Sequence, residues 1–317
     1  MKILSNQKVL IIKFGGLGDF ILSLSAMYSI KVFHKKSKLV LITEIGYKDI
    51  AKRSNWFDEI IVIKRSTFYF LDKIKIKKKL NTKEFINVYD LQTSKRSTSY
   101  SNLFDKKITK WSGIVHDSDY CHFNPKRDLM HTIDRQKEQL KMANIKNFFL
   151  FDGKWIFDDK FKHNFKKKSF VIFVVGGSAR RKNKRIPDEV FIKIAKKLSK
   201  LNIDSVIIGG SDELELCKEI KKKHPKIINL CGKLNIYKLA SLSRDSLCIV
   251  GNDTGPMHLC ALAKQKLVVF FTKFSDPKLC APLGSHVSVL NYNNKCSELV
   301  KKTLSIILEK KNNYFLN

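Results

Sequence analysis

The sequence predicts an α/β protein made of two doubly wound, Rossmann-like domains facing a central cleft. Three observations carry this expectation. The chain has 317 residues, too many for one ordinary core and suited to two domains of roughly 150 residues each. Short apolar runs bounded by glycines and polar turns alternate with helical stretches along most of it. That rhythm lapses between residues 144 and 168, a segment rich in Lys, Asn, Asp and Phe, and then restarts.

The first apolar run, residues 9–14, is broken only by Lys13 and ends in Gly15-Gly16-Leu17-Gly18-Asp19. Such a run reads as a buried parallel strand. A helix should follow over 20–34, with Ile21, Leu24, Met27 and Tyr28 on one face. Strands are expected over 39–43, 59–63 and 85–90, with helices near 47–54 and 68–80. The expected boundaries are a first domain over 1–145, a linker over 146–168 and a second domain over 169–317. In the second domain, strands fall at 170–175, 205–208, 227–230, 247–250 and 267–271. Helices fall at 187–201, 212–223, 236–243, 256–263 and 303–309. Two such units place the C-terminal ends of their strands toward the cleft, where ligands of doubly wound sheets bind.

Composition narrows the classes. Hydrophobic residues make up 44% of the chain, so a folded protein is expected. Lys and Arg number 61 against 29 Asp and Glu, a net charge of +32. That excess suits an anionic partner, but the abundance of Lys, Asn and Ile also fits an AT-rich coding bias, and both readings stand. The seven cysteines include no CxxC pair, which points to reduced thiols in a cytoplasmic protein. The start of the chain does not read as a signal peptide. No run approaches the ~18 apolar residues of a membrane span, so membrane contact is expected to be peripheral.

Three motifs carry chemistry. Val250-Gly251-Asn252-Asp253-Thr254-Gly255-Pro256-Met257-His258 follows an expected strand and opens an expected helix. A helix N-terminus with a glycine suits a phosphate. Thr254 either caps the helix or donates to a phosphate oxygen, and His258 can reach the same anion. In the Gly15, Gly16, Gly18 loop, Asp19 is either a general base at the end of the first strand or the N-cap of the next helix. The spacing is not GxGxxG and lacks the Lys-Ser/Thr of a P-loop. Third, Gly176-Gly177-Ser178 leads into Arg180-Arg181-Lys182-Asn183-Lys184-Arg185-Ile186-Pro187, a loop basic enough to neutralise a pyrophosphate.

These segments, with Asp90-Leu91-Gln92, Gly209-Gly210-Ser211 and Asn229-Leu230-Cys231-Gly232-Lys233 in the same order, resemble the ADP-heptose:lipopolysaccharide heptosyltransferases, glycosyltransferase family 9. The resemblance spans nearly the whole chain. It implies the GT-B fold, a nucleotide-diphosphate sugar donor such as ADP-heptose, inversion at the anomeric carbon, and neither metal nor other cofactor. Carried over residue by residue, Asp19 falls on the catalytic base beside the acceptor-side loop of Gly15, Gly16 and Gly18. Lys184, Ser178, Asp253, Thr254, Gly255, Pro256 and His258 fall on the donor phosphate site, with the backbone amides at 255 and 256 facing the diphosphate. Glu215 in the first place, and Glu213 in the second, falls on the acid that holds the nucleotide ribose. Two segments depart from the family pattern: Val175-Gly176-Gly177-Ser178, and Arg185-Ile186 before Pro187. Both bear on donor identity. The implied partners are the donor, a lipid-linked glycan acceptor and the anionic inner face of the inner membrane, with no nucleic acid. The alternatives are another sugar and acceptor on the same fold, or a basic nucleic-acid-binding protein, for which no recognisable RNA-binding or zinc-finger pattern is present.

Overall fold

Two parallel six-stranded sheets organise the chain, which the computed structural model describes over residues 7–177 and 179–309. The chain divides into two units between Trp155 and Ile156. In unit 1 the elements are β1 (Lys8–Ile12), α1 (Leu17–Phe33), β2 (Lys38–Thr43), α2 (Lys48–Ser54), β3 (Glu59–Val62) and α3 (Tyr69–Lys79). There follow β4 (Phe85–Asp90), α4 (Lys95–Thr98), β5 (Lys110–Gly113), β6 (Tyr120–Cys121) and α5 (Thr132–Met142). Unit 2 contains β7 (Phe170–Val174), α6 (Asp188–Ser199), β8 (Asp204–Ile208), α7 (Leu214–Lys223), β9 (Ile228–Asn229) and α8 (Ile236–Asp245). It continues with β10 (Cys248–Asn252), α9 (Gly255–Ala261), β11 (Lys266–Phe271), α10 (Pro277–Cys280), β12 (Val287–Asn291) and α11 (Cys296–Leu308).

The two sheets share one topology. Unit 1 runs β3-β2-β1-β4-β5-β6, and unit 2 runs β12-β11-β10-β7-β8-β9. Numbered within its own unit, each sheet has the order 3-2-1-4-5-6. The strand order therefore reverses between β1 and β4 in unit 1 and between β7 and β10 in unit 2, the places where such sheets receive ligands. The central strands are apolar because both faces are covered: Val9, Leu10, Ile11 and Ile12 are fully buried, as are Phe170, Val171, Ile172 and Phe173.

Helix α1 begins at Leu17, three residues before the expected start, with Gly16 as its N-cap at φ 42°. Its amphipathic reading gives way to burial almost all round: residues 20–27, 29 and 30 are buried, and Tyr28 is the outlying, half-exposed position. The serines make this possible. Ser29 and Ser25 accept the N–H groups of Phe149 and Phe151 at 2.9 and 3.0 Å, and Ser23 accepts from Gln136 Nε2 at 2.7 Å.

The segment expected as a linker is ordered on both sides of the division. Phe151, Trp155 and Trp56 pack ring on ring within unit 1. In unit 2 the Asp158 N–H donates to Ser241 at 2.7 Å, and Phe165 packs on Phe170. All seven cysteines are free thiols. Among the described residues, no helix is long and apolar enough to cross a membrane.

Candidate active site

At the reversal point of unit 2, the ends of β7 and β10 are clamped by one buried side chain. Asn252, the last residue of β10, donates to the carbonyls of Val175 and Gly176 at 2.8 and 3.3 Å and accepts the Ile186 N–H at 3.1 Å. This fixes the basic loop against the strand ends. Lys184 then lies with its ammonium 2.5 Å from the Asp253 carboxylate, both side chains largely buried. Asp253 thus holds the lysine; a carboxylate has no attraction of its own for a phosphate, and its contribution there runs through Lys184.

Beside this pair is a cavity of about 330 Å³ lined by Gly176, Gly177, Gly209, Gly210, Glu213, Asn235, Ile236, Thr254 and Pro256, among others. Glu213 passes between the two glycine pairs. A Cβ on Gly176 would meet the Glu213 carboxyl carbon at 2.7 Å, and one on Gly209 would meet its Cβ at 2.7 Å. The carboxylate accepts the Gly210 N–H at 2.8 Å and pairs with Arg185 at 3.0 Å. Arg185 also donates to the Gly177 carbonyl. Of the two candidate acids for a ribose, Glu213 is therefore the one in the cavity. Glu215 lies on the outer face of α7, 82% exposed and paired with Lys218.

Helix α9 is seven residues long, with Thr254 as its N-cap. The Thr254 side chain makes no capping bond, so the structure does not use it as the cap hydroxyl that one reading allowed. The Met257 N–H returns to the Thr254 carbonyl at 3.0 Å. Pro256 has no N–H and cannot serve as the second amide expected there; of that pair, only Gly255 brings a donor. His258 is buried on the same helix. Ser178 lies outside the described residues.

The reversal point of unit 1 places a different set of groups. Asp19 is exposed in the first turn of α1, and the N-cap role expected as its alternative belongs to Gly16. A Cβ on Gly16 would stand 3.0 Å from an Asp19 carboxylate oxygen, so the carboxyl folds back over the glycine turn. Gly15 is crowded by Glu44 and Tyr47 at 2.9 and 3.1 Å from such a Cβ, and Gly18 is the second residue of the helix.

Beneath this turn is a largely buried polar cluster of Lys13 with Asp90 and Gln92, the latter two from a segment that carried the resemblance but was given no role. Lys13 is 4% exposed, and its ammonium donates to the Leu91 carbonyl at 3.2 Å. Asp90 is fully buried, accepting the Gln92 and Thr93 N–H groups on one oxygen at 3.0 and 2.9 Å. Gln92 in turn accepts the Phe14 N–H at 3.0 Å, tying the end of β4 to the end of β1. Burial pushes the Asp90 carboxyl up to about 6. Burial also lowers Lys13 from its ordinary value, against the opposing pull of Asp19 and Asp90. Burying such a cation costs several kcal/mol. The four preceding β1 side chains, at roughly 1.5–3 kcal/mol of transfer free energy each, offset it. The signal in the sequence was the single lysine in the otherwise apolar run of residues 9–14. Nearby, Arg127 donates to the Thr93 hydroxyl at 2.8 Å and to His122 at 3.2 Å. Among the described residues, no group of three or more His, Cys, Asp or Glu side chains is placed to hold a metal ion.

Comparison with known proteins bears on the family and the fold. Residues 74–307 match the model of glycosyltransferase family 9 (heptosyltransferase). The lipooligosaccharide heptosyltransferase 2 of Campylobacter jejuni is 27% identical over 273 residues, 82% of this chain and 80% of that protein. Among solved structures, E. coli heptosyltransferase WaaC with ADP superposes with a TM-score of 0.72 at 16% identity, covering 95% of this chain and all of that one. The E. coli ADP-heptose lps heptosyltransferase II gives 0.71 at 16%, over 95% and 99%. The fold is thus of the GT-B type, with two Rossmann-like units. With a family match across most of its length and the same fold as two solved heptosyltransferases, this chain belongs to glycosyltransferase family 9 and is a glycosyltransferase of the heptosyltransferase kind.

Proposed function

We propose that the protein transfers heptose from ADP-heptose, with inversion, to a lipid-linked glycan of the lipopolysaccharide-core type. The observation that carries this reading is the unit 2 cavity, with Glu213 at one end and the Lys184–Asp253 pair and Thr254 beside it. Its volume of about 330 Å³ lies within the range of small-molecule sites, and the groups lining it match a nucleoside diphosphate. Glu213 accepts hydrogen bonds from the ribose hydroxyls. Lys184, the Thr254 hydroxyl and the Gly255 N–H take the charge of the diphosphate.

In the reaction, the acceptor hydroxyl oxygen attacks the anomeric carbon opposite the diphosphate. Asp19 takes the hydroxyl proton as the new C–O bond forms. The bond to the diphosphate oxygen breaks, and the charge that grows there is met by Lys184 and its neighbours. Asp253 orients Lys184, and Asn252 holds the loop that carries it. The proposed base belongs to unit 1 and the proposed donor groups to unit 2. The catalytic charges are all supplied by side chains and amides, so the reaction runs without a metal. The enzyme works in the cytoplasm at the inner face of the inner membrane, where a lipid-linked acceptor is held.

A thermal-shift series with ADP, UDP, GDP and ADP-heptose tests the donor. ADP compounds should raise the melting temperature most, by mass action on the folded state. Stabilisation by UDP or GDP in preference to ADP would overturn the donor assignment. Turnover should persist in EDTA; complete loss that manganese restores would overturn the metal-free mechanism.

A further inference from the structure

We infer that α3 and the turn before it form a docking element for an anionic lipid bilayer, an inference that deepens the membrane-associated reading above and rests on it. Residues 68–71 and Ile74 make one continuous exposed apolar surface: Phe68 is 62% exposed, Phe70 58% and Ile74 48%. Single exposed apolar residues are ordinary, but a contiguous set this rich in aromatic rings marks an interaction surface. The Phe68 and Phe70 rings lie 6.0 Å apart, covering each other only in part.

The surface is presented by a helix that is firmly held on its other side. Asp72 and Ile76, one turn apart, are buried. The Asp72 carboxylate accepts the Ser66 N–H at 2.7 Å and the Tyr100 hydroxyl at 3.0 Å and pairs with Arg96, whose guanidinium also covers the Tyr69 ring at 4.5 Å. With one face fixed inward, the 3.6-residue period turns Phe70, Ile74, Lys77 and Lys78 outward.

Charge selects the occupant. Residues 64–80 carry seven cations, Lys64, Arg65, Lys73, Lys75, Lys77, Lys78 and Lys79, against one carboxylate, Asp72. That carboxylate is buried and already engaged. Phenylalanine, leucine and isoleucine beside lysines is the composition of an interfacial element on anionic lipid. Protein interfaces are depleted in lysine, and a second copy of the chain would bring another net +32 to the same surface. Position agrees as well. The turn leaves the C-terminal end of β3, the sheet edge from which the Asp19 loop also emerges. Arg65 links the two: its guanidinium donates to Glu44 at 2.8 Å and lies over the Phe14 ring at 5.7 Å, while Glu44 crowds Gly15. A bilayer bound by α3 would present a lipid-linked sugar near the base.

The test is co-sedimentation of the full chain with vesicles of phosphatidylcholine alone and of phosphatidylcholine mixed with phosphatidylglycerol. The parent should bind the mixed vesicles and release as salt rises. Phe70→Ser/Ile74→Ser and, separately, Lys77→Gln/Lys78→Gln should each weaken that binding by about tenfold or more, with unchanged melting temperatures. Equal binding to both vesicle types, no binding to either, or variants that bind like the parent would overturn the inference. So would a Phe70→Ser/Ile74→Ser protein that loses self-association but keeps vesicle binding. On a lipid-free acceptor glycan this variant should turn over like the parent; loss there would place α3 in the chemistry instead. Failure of the parent itself to transfer sugar would count against the proposed function and leave the vesicle result standing.

Discussion

The two reversal points have the same topology and carry opposite electrostatic designs. In unit 1 the cation, Lys13, is buried beneath the turn and the carboxylate, Asp19, is exposed above it. In unit 2 the last strand residue, Asn252, is neutral where unit 1 has Asp90, and the carboxylate that follows, Asp253, is buried against Lys184. One site offers a proton acceptor to solvent; the other holds a cation in a fixed place with its carboxylate partner turned inward. An acceptor hydroxyl needs the first and a leaving diphosphate needs the second. On the proposed function, each unit would serve one half of a displacement, because sheet topology fixes where a ligand sits and local side chains decide which charge it meets.

The largest effect should come from removing the exposed acid. Asp19→Asn should lower turnover by roughly 10²–10⁴, the worth of a general base. Its cost in stability should be at most about 1 kcal/mol, because the carboxylate only complements the α1 dipole and Gly16 provides the cap. Turnover within a few-fold of the parent, measured where chemistry limits the rate, would make Asp19 structural. Next, Lys184→Gln should lower kcat/KM by about 10²–10³, the usual cost of losing one charge-stabilising donor. It also leaves Asp253 without its cation, so the assay must run well below a melting temperature lowered by that loss. Asp253→Asn should lose less activity than Lys184→Gln, because the lysine remains. The reverse order would show that Asp253 itself meets the substrate.

A fourth variant separates the two designs by pH. With its carboxyl raised by burial from 3.8 to about 6, folded Asp90 binds more protons than unfolded Asp90 between those values. The group therefore favours folding below about pH 4, and this contribution is lost as pH rises to about 6. Asp90→Asn lacks that slope. Relative to the parent, it should gain on the order of 3 kcal/mol in stability between pH 4 and pH 7, read from denaturant titrations at each pH. A constant difference across that range would mean that Asp90 is ionised throughout.

What the sequence made legible follows from how each part signals itself. The central strands did so, because burial on both faces leaves continuous apolar runs such as residues 9–12 and 170–174. The β10 to α9 turn did so through its glycine and proline. Helix α5 did not: its inward positions include Gln136 and Gln139, which bond to Ser23 and to the Asp90 carbonyl, so the helix has too few apolar residues to show a 3.6 period. Strands β6 and β12 lie at sheet edges, and β6 has only two residues. The ordered segment around Trp155 was missed for a similar reason, since its aromatics pack on each other and show no regular period. At the site, Asn252 and Asp90 stood in quoted segments but their roles were not legible, because their work is done on backbone groups that only the folded chain brings near.

The smallest effect in this series concerns the two acids that the sequence left as alternatives. Glu213 and Glu215 are two residues apart in the GGSDELE segment, and the resemblance pointed first to Glu215, the one that the structure leaves outside the cavity. The fold distinguishes them, because at the start of a helix two residues correspond to about 200° of rotation. Glu213 is directed back between Gly176 and Gly209, and Glu215 outward to Lys218. If the carboxylate in the cavity holds the ribose diol, Glu213→Gln should weaken ADP binding by about tenfold, because a charge-assisted acceptor is replaced by a neutral amide. The glutamine keeps an oxygen for the Gly210 N–H, but it leaves Arg185 without its carboxylate, so the titration must run well below a melting temperature lowered by that loss. Glu215→Gln removes a solvent-exposed ion pair, which contributes about 0–1 kcal/mol to stability, and should leave ADP binding as in the parent. Calorimetric titration of both variants with ADP decides between them. Weakened binding in Glu215→Gln with parent-like binding in Glu213→Gln would show that α7 presents its outer face to the nucleotide, and the donor cavity would then have to be sought elsewhere in unit 2.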